Sequence, residues 1–151
     1  MTNYFFHSQI HHIMEISSIN YLAVLVAALA SFALGSLWYS PVLFAKSWQS
    51  TLGFTNEYLK KGNMAVIFGS SFVLIFLMDF GLAFILQAHP KTEFNLFSGI
   101  GTGFFTGIFF VATSIGINML YQRKSFKLWA IDAGYQVLYL TMSGAILGTW
   151  K

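Results

Sequence analysis

Two aspartates stand inside long apolar runs, and they carry the clearest chemical potential in the chain. Asp79 lies well within one run, and Asp132 lies near the start of another. A carboxylate at mid-bilayer costs about 2.5–3.5 kcal/mol to insert, so such groups face protein or water. Asp79 therefore has two readings: a proton- or cation-binding site, or a protonated carboxyl that donates a hydrogen bond between helices. Asp132 heads a series with Gln136, Tyr139 and Ser143 at spacings of 4, 3 and 4. Helical periodicity puts these four on one face. That face belongs toward a bundle or a subunit contact, because unpaired polar groups are costly in lipid. Asn118 falls at a similar depth on the preceding helix, where it is expected to meet Asp132. Arg123, Lys124 and Lys127 offer Asp132 ion pairs at the same end. The seam reads either as structural hydrogen bonding or as a cytoplasm-facing vestibule for a cation or proton.

No catalytic constellation accompanies these carboxylates. Without cysteine there is no disulfide framework, thiolate metal site or thiol nucleophile. His7 and His11 share a helical face, but no third ligand is in phase with them, so a metal site is not expected. The run Gly99-Ile100-Gly101-Thr102-Gly103 lacks the Gly-Lys-Ser/Thr of a phosphate loop and reads as a helix-packing surface. Serines and threonines are scattered without acid or histidine in phase. The sequence points to no enzyme and no cofactor.

Membrane helices must position these groups. The chain is 56% hydrophobic and 9% charged, against about a quarter charged for a soluble domain. A water-soluble monomer is excluded on that ground. A bilayer crossing needs roughly 20 apolar residues. The charged positions leave four such stretches, approximately 19–39, 63–88, 95–121 and 128–150. Continuous apolarity rejects a barrel. The expected fold is an all-α integral membrane protein, a four-transmembrane-helix bundle forming one domain over 19–151, preceded by an N-terminal tail, 1–18. A cleaved signal peptide is disfavoured, because the segment before the first span has no Lys or Arg and contains Glu15. Met14 offers a more natural start for a membrane protein, which would make 1–13 an over-extended N-terminus.

Cationic residues orient the spans. Lys46, Lys60 and Lys61 lie in the first linker, and Arg123, Lys124 and Lys127 in the third; only Lys91 and Lys151 lie on the other side. This bias places both linkers in the cytoplasm and both termini outside. Trp38, Tyr39, Trp48, Tyr58, Tyr121 and Trp129 fit the cytoplasmic interface, and Tyr21 and Trp150 the outer one. The net charge of +3 is then a topology signal with lipid-headgroup contact, and nothing suggests nucleic acid. In the first linker, Ser40 as N-cap, Pro41 at the first turn and Gly53 as stop predict a short interfacial helix with Phe44, Trp48 and Leu52 on one side. Thr55 and Gly62 bound a second turn.

Small residues recur at four-residue intervals along the spans: Ala23, Ala27, Ser31 and Gly35; Ala65 and Gly69; Gly99, Gly103 and Gly107; Gly144 and Gly148. Such stripes let helix backbones approach closely. Packing within the bundle is the first reading, and a homodimer seam through the third span the second. A shift of 81 positions superposes Gly35 on Gly116, Lys46 on Lys127 and Trp48 on Trp129, a faint tandem repeat of two hairpins.

The segment from Gly35 through Leu37-Trp38-Tyr39-Ser40-Pro41 to Trp48 resembles a family of small, mainly bacterial membrane proteins catalogued as domain of unknown function 1761. So do Ala112 to Asn118, Lys127-Leu128-Trp129, Gly134-Tyr135 and Gly144 to Gly148. The resemblance covers about residues 19–150 and implies a four-helix membrane protein with no activity attached. The family pattern favours Asn where this chain has Asp132 and His where it has Gln136. Two function classes stand. One is a non-catalytic membrane subunit or helix-packing scaffold, with the bilayer and a second copy or membrane-complex component as partners. The other is an oligomeric channel or transporter for a small solute, cation or proton. A bacterial inner membrane is the expected location.

Overall fold

The structure, a computed structural model, describes residues 18–88 and 94–150. His7, His11 and His12, the outer cations Lys91 and Lys151, and residues 1–17 of the expected 1–18 tail lie outside the described residues. Every regular α or π element among those described is helical: α1 (Tyr21–Trp38), α2 (Ala45–Leu52), α3 (Asn56–Lys60), α4 (Met64–Leu86), α5 (Leu96–Thr106), a π segment (Gly107–Ala112), α6 (Thr113–Tyr121) and α7 (Phe126–Thr149). Side-chain caps start the long ones. Asn20, Asn63 and Ser125 accept hydrogen bonds from Ala23, Val66 and Leu128 backbone N–H groups. Asn95 and Ser98 cap α5 reciprocally. These bonds satisfy donors that a helix start leaves open.

Three rods are long and apolar enough to cross a membrane: α1, α4 and the continuous Leu96–Tyr121 rod. α7 is as long, at 24 residues, or about 36 Å at 1.5 Å per residue. It is more polar, carrying Asp132, Gln136 and two buried tyrosines. It is also the centre of the bundle, with ten buried residues against three on α4. α5 packs along α7 on one side and α1 on the other, while α4 leans mainly on α1. Most of α4 is therefore apolar surface turned outward, including Val66, Val73, Leu74 and Leu77.

The first linker differs from its sequence reading at one end. Ser40 and Pro41 do not open the short helix; residues 41–44 form turns that bond back to Ser40 and Trp38, and α2 begins at Ala45. The physical reason is packing: the Phe44 ring lies 4.6 Å from that of Trp38, which folds the chain back before a helix can continue. At its other end α2 stops at Gly53, whose φ of 70° is left-handed, a conformation cheap for glycine alone. α3 follows, capped by Thr55.

Candidate functional site

The groups with chemical potential form two clusters along α7. The deeper one gathers residues from three helices. Asp79 of α4 is 0% exposed, as are Ser31 of α1 and Ser143 of α7. The Ser31 and Ser143 hydroxyls are 2.9 Å apart and share one hydrogen bond. One turn and two turns before Ser143, Tyr139 and Tyr135 add phenols. The Tyr135 hydroxyl donates to the Ser31 carbonyl at 3.1 Å, and that of Tyr139 donates to the Met78 sulfur. Asp79 faces Ser143, Tyr139 and Tyr135 electrostatically, yet neither of its carboxyl oxygens has a partner in hydrogen-bond geometry.

The shallower cluster stands at the α2 end of the bundle. Tyr39, just after α1, donates its hydroxyl to Asp132 at 2.9 Å. Trp48 of α2 packs its ring 5.7 Å from that of Tyr39 and lies against Asp132. Beside them the Trp38 indole N–H donates to the Ile131 carbonyl at 3.0 Å. The two clusters adjoin through stacked phenols: Tyr39 and Tyr135 are 5.5 Å apart between ring centroids, Tyr135 and Tyr139 5.2 Å.

The residues expected on one face of the fourth span divide between these clusters. Tyr139 and Ser143 join the deep one and Asp132 the shallow one. Gln136 lies between, half-buried, with its buried Oε1 unpartnered. Asn118 does not join them: it is exposed on α6, and Asp132 takes Tyr39 instead. Arg123, Lys124 and Lys127 are exposed too, and Asp132 has no ion pair among the described residues. The carboxylate meets Tyr39 and Trp48 instead, while Arg123 and Lys124 stand on the α6–α7 turn and Lys127 on the first turn of α7. Ser31 reads in the sequence only as a small packing residue, and Tyr39 and Trp48 only as interface aromatics. Their pairing with α7 bridges separations that reach 93 positions for Tyr39 and 112 for Ser31, which no local pattern encodes.

The glycines hold the other side of α7. A β-carbon on Gly99 would come within 2.0 Å of the Gly144 carbonyl oxygen, and one on Gly103 within 2.1 Å of the Leu140 oxygen. Gly144 and Gly148 return the contact, at 2.1 Å from the Gly99 oxygen and 2.5 Å from the Asn95 oxygen. Gly107 meets the Val137 Cα at 2.9 Å. The third rod's glycine face is thus occupied by α7 of the same chain, so a homodimer seam through these glycines has no free surface. By contrast, Gly69 has open space around it. At Gly107 the rod widens into the π segment, absent from the sequence reading, and the Trp129 indole N–H donates to the Ala112 carbonyl at its end, 2.9 Å away. A groove of about 740 Å³ lies outside the core between α4 and the third rod, lined by Ile85, Phe105 and Phe110 among others. No group of three or more metal-ligating His, Cys, Asp or Glu residues occurs among the described residues.

Residues 22–148 match a family described as protein of unknown function (DUF1761). No curated protein and no solved structure matches the chain.

Proposed function

The chain belongs to this family of unknown function, and from that premise we propose that it is a non-catalytic, four-span membrane subunit whose role is to pack. α7 is the fourth crossing, α2 and α3 lie in the cytoplasmic interface, and both termini face away from the cytoplasm, in a bacterial inner membrane. The observation that carries this reading is the backbone-to-backbone contact of α5 with α7. Glycines from both helices interlock so closely that one methyl group has no room, and association in lipid rests on such packing. Beyond Asp79 and Ser143 along their helices the core is apolar: Leu82, Leu86 and Leu147 are buried there. That layer closes the polar clusters off from one side of the bundle. The outward apolar faces of α4 and the third rod then meet lipid or a membrane partner.

A transport role has one observation in its favour, the polar residues of α1, α4 and α7 gathered around Asp79. The two readings separate in proteoliposomes. The purified chain at high density is expected to give no ion or proton flux above empty vesicles. Flux that disappears in Asp79→Asn, with that variant still folded, would replace the packing role by transport.

A further inference from the structure

We propose that Asp79, within the Ser31–Ser143–Tyr139 pocket, is an intramembrane proton-binding site that exchanges with water from the Asp132 end of the bundle. The proposal is independent of the packing role and stands on who faces the carboxyl. From α7 these are Tyr135, Tyr139 and Ser143, with Ser31 of α1 bonded to Ser143 and Met78 of α4 bonded to Tyr139 behind them. None is cationic, and every Lys and Arg among the described residues is exposed.

The hydroxyl hydrogens nearby are largely committed. Tyr135 gives its hydrogen to the Ser31 carbonyl, Tyr139 to Met78, and one serine to the other. A single serine hydrogen is left for two carboxyl oxygens. A buried ionised carboxylate needs a cation or several donors, and without them it takes a proton. A hard cation takes roughly six oxygens turned toward it, whereas the phenols and serines here are turned to partners of their own and Asp79 is the cluster's one carboxyl group. The occupant that fits is a proton. Binding adds one proton from water to a carboxylate oxygen and leaves a neutral acid; release returns it, and no electron moves.

The entry follows from the neighbours. Toward one end Asp79 meets Leu82 and Leu86 along its own helix. Toward the other, the phenols of Tyr135 and Tyr39 lead to Asp132, which is half-buried.

The sequence permits a direct test, because Asp79 and Asp132 are its only aspartates. The full chain, labelled with carboxyl-13C aspartate and reconstituted in phosphatidylethanolamine–phosphatidylglycerol vesicles, is read by infrared spectroscopy. In Asp132→Asn, which leaves Asp79 as the one labelled side chain, a protonated-carboxyl C=O band is expected at neutral pH. It should shift in D2O and disappear reversibly at alkaline pH, and sodium at fixed pH should leave it unchanged. In the parent, Tyr39→Phe should keep the band but slow its deuterium shift severalfold. A carboxylate signal alone at neutral pH, or a band removed by sodium, would overturn the proton site. Equal exchange rates in parent and Tyr39→Phe would overturn the entry route.

Discussion

At the scale of single residues, the molecule depends on positions where one atom more or less changes a contact between helices. Gly103 and Gly69 are both glycines in apolar runs, yet only Gly103 abuts a carbonyl. Gly103→Ala forces α5 and α7 apart and should cost about 1–3 kcal/mol, the usual range for overpacking. Gly69→Ala should cost nothing or slightly stabilise, since alanine is the better helix former. Thermal unfolding in detergent compares them, and equal melting temperatures would refute the contact. The Tyr39–Asp132 bond has a similar check. In a double-mutant cycle of Tyr39→Phe and Asp132→Asn, a coupling of about 1 kcal/mol is expected for a partly buried hydrogen bond to a carboxyl group. Additive losses would show the pair to be independent. Asp79, Asp132, Tyr139 and Ser143 were all legible as polar residues in apolar surroundings, because a charge or hydroxyl in lipid needs a reason. Their partners were not, because Ser31 and Tyr39 are set by how helices dock.

Among the elements, the long helices follow from apolar length and from Asn or Ser at their starts. The breaks within and between them depend on neighbours. The start of α2 moves from Pro41 to Ala45 because Phe44 packs on Trp38, a contact between side chains that the turn signals do not contain. The π segment is a second case. It begins at Gly107, where Val137 of α7 presses close, and ends at Ala112, whose carbonyl receives the Trp129 indole. A wider helical turn displaces backbone acceptors from their usual donors, so the indole supplies one. Trp129→Phe keeps an aromatic ring, though a smaller one, and removes the N–H. It should destabilise the bundle by about 1–2 kcal/mol, the cost of an unsatisfied acceptor away from water, with accelerated amide exchange in the π segment by hydrogen–deuterium exchange. Unchanged exchange there would mean that the indole is incidental.

For the molecule as a whole, a helix too polar to count as an obvious membrane span occupies the middle. α7 carries the polar residues because the other helices enclose it, and they carry the apolar ones because they surround it. The charge pattern marked four apolar stretches; three coincide with rods long and apolar enough to cross a membrane, and it did not foretell that the fourth, more polar helix would be the core. If α7 is a crossing, the α6–α7 turn and the end of α7 lie on opposite sides of the membrane, with the α2 linker on the same side as the turn. The chain has no cysteine of its own, so single cysteines report position cleanly. Labelling of Ser50→Cys, Ala88→Cys, Ser125→Cys and Trp150→Cys with an impermeant thiol reagent in intact cells is the most direct measurement. Ala88→Cys and Trp150→Cys should react, while Ser50→Cys and Ser125→Cys should react only after the cells are permeabilised. Equal labelling of Ser125→Cys and Trp150→Cys in intact cells would contradict the four-span bundle.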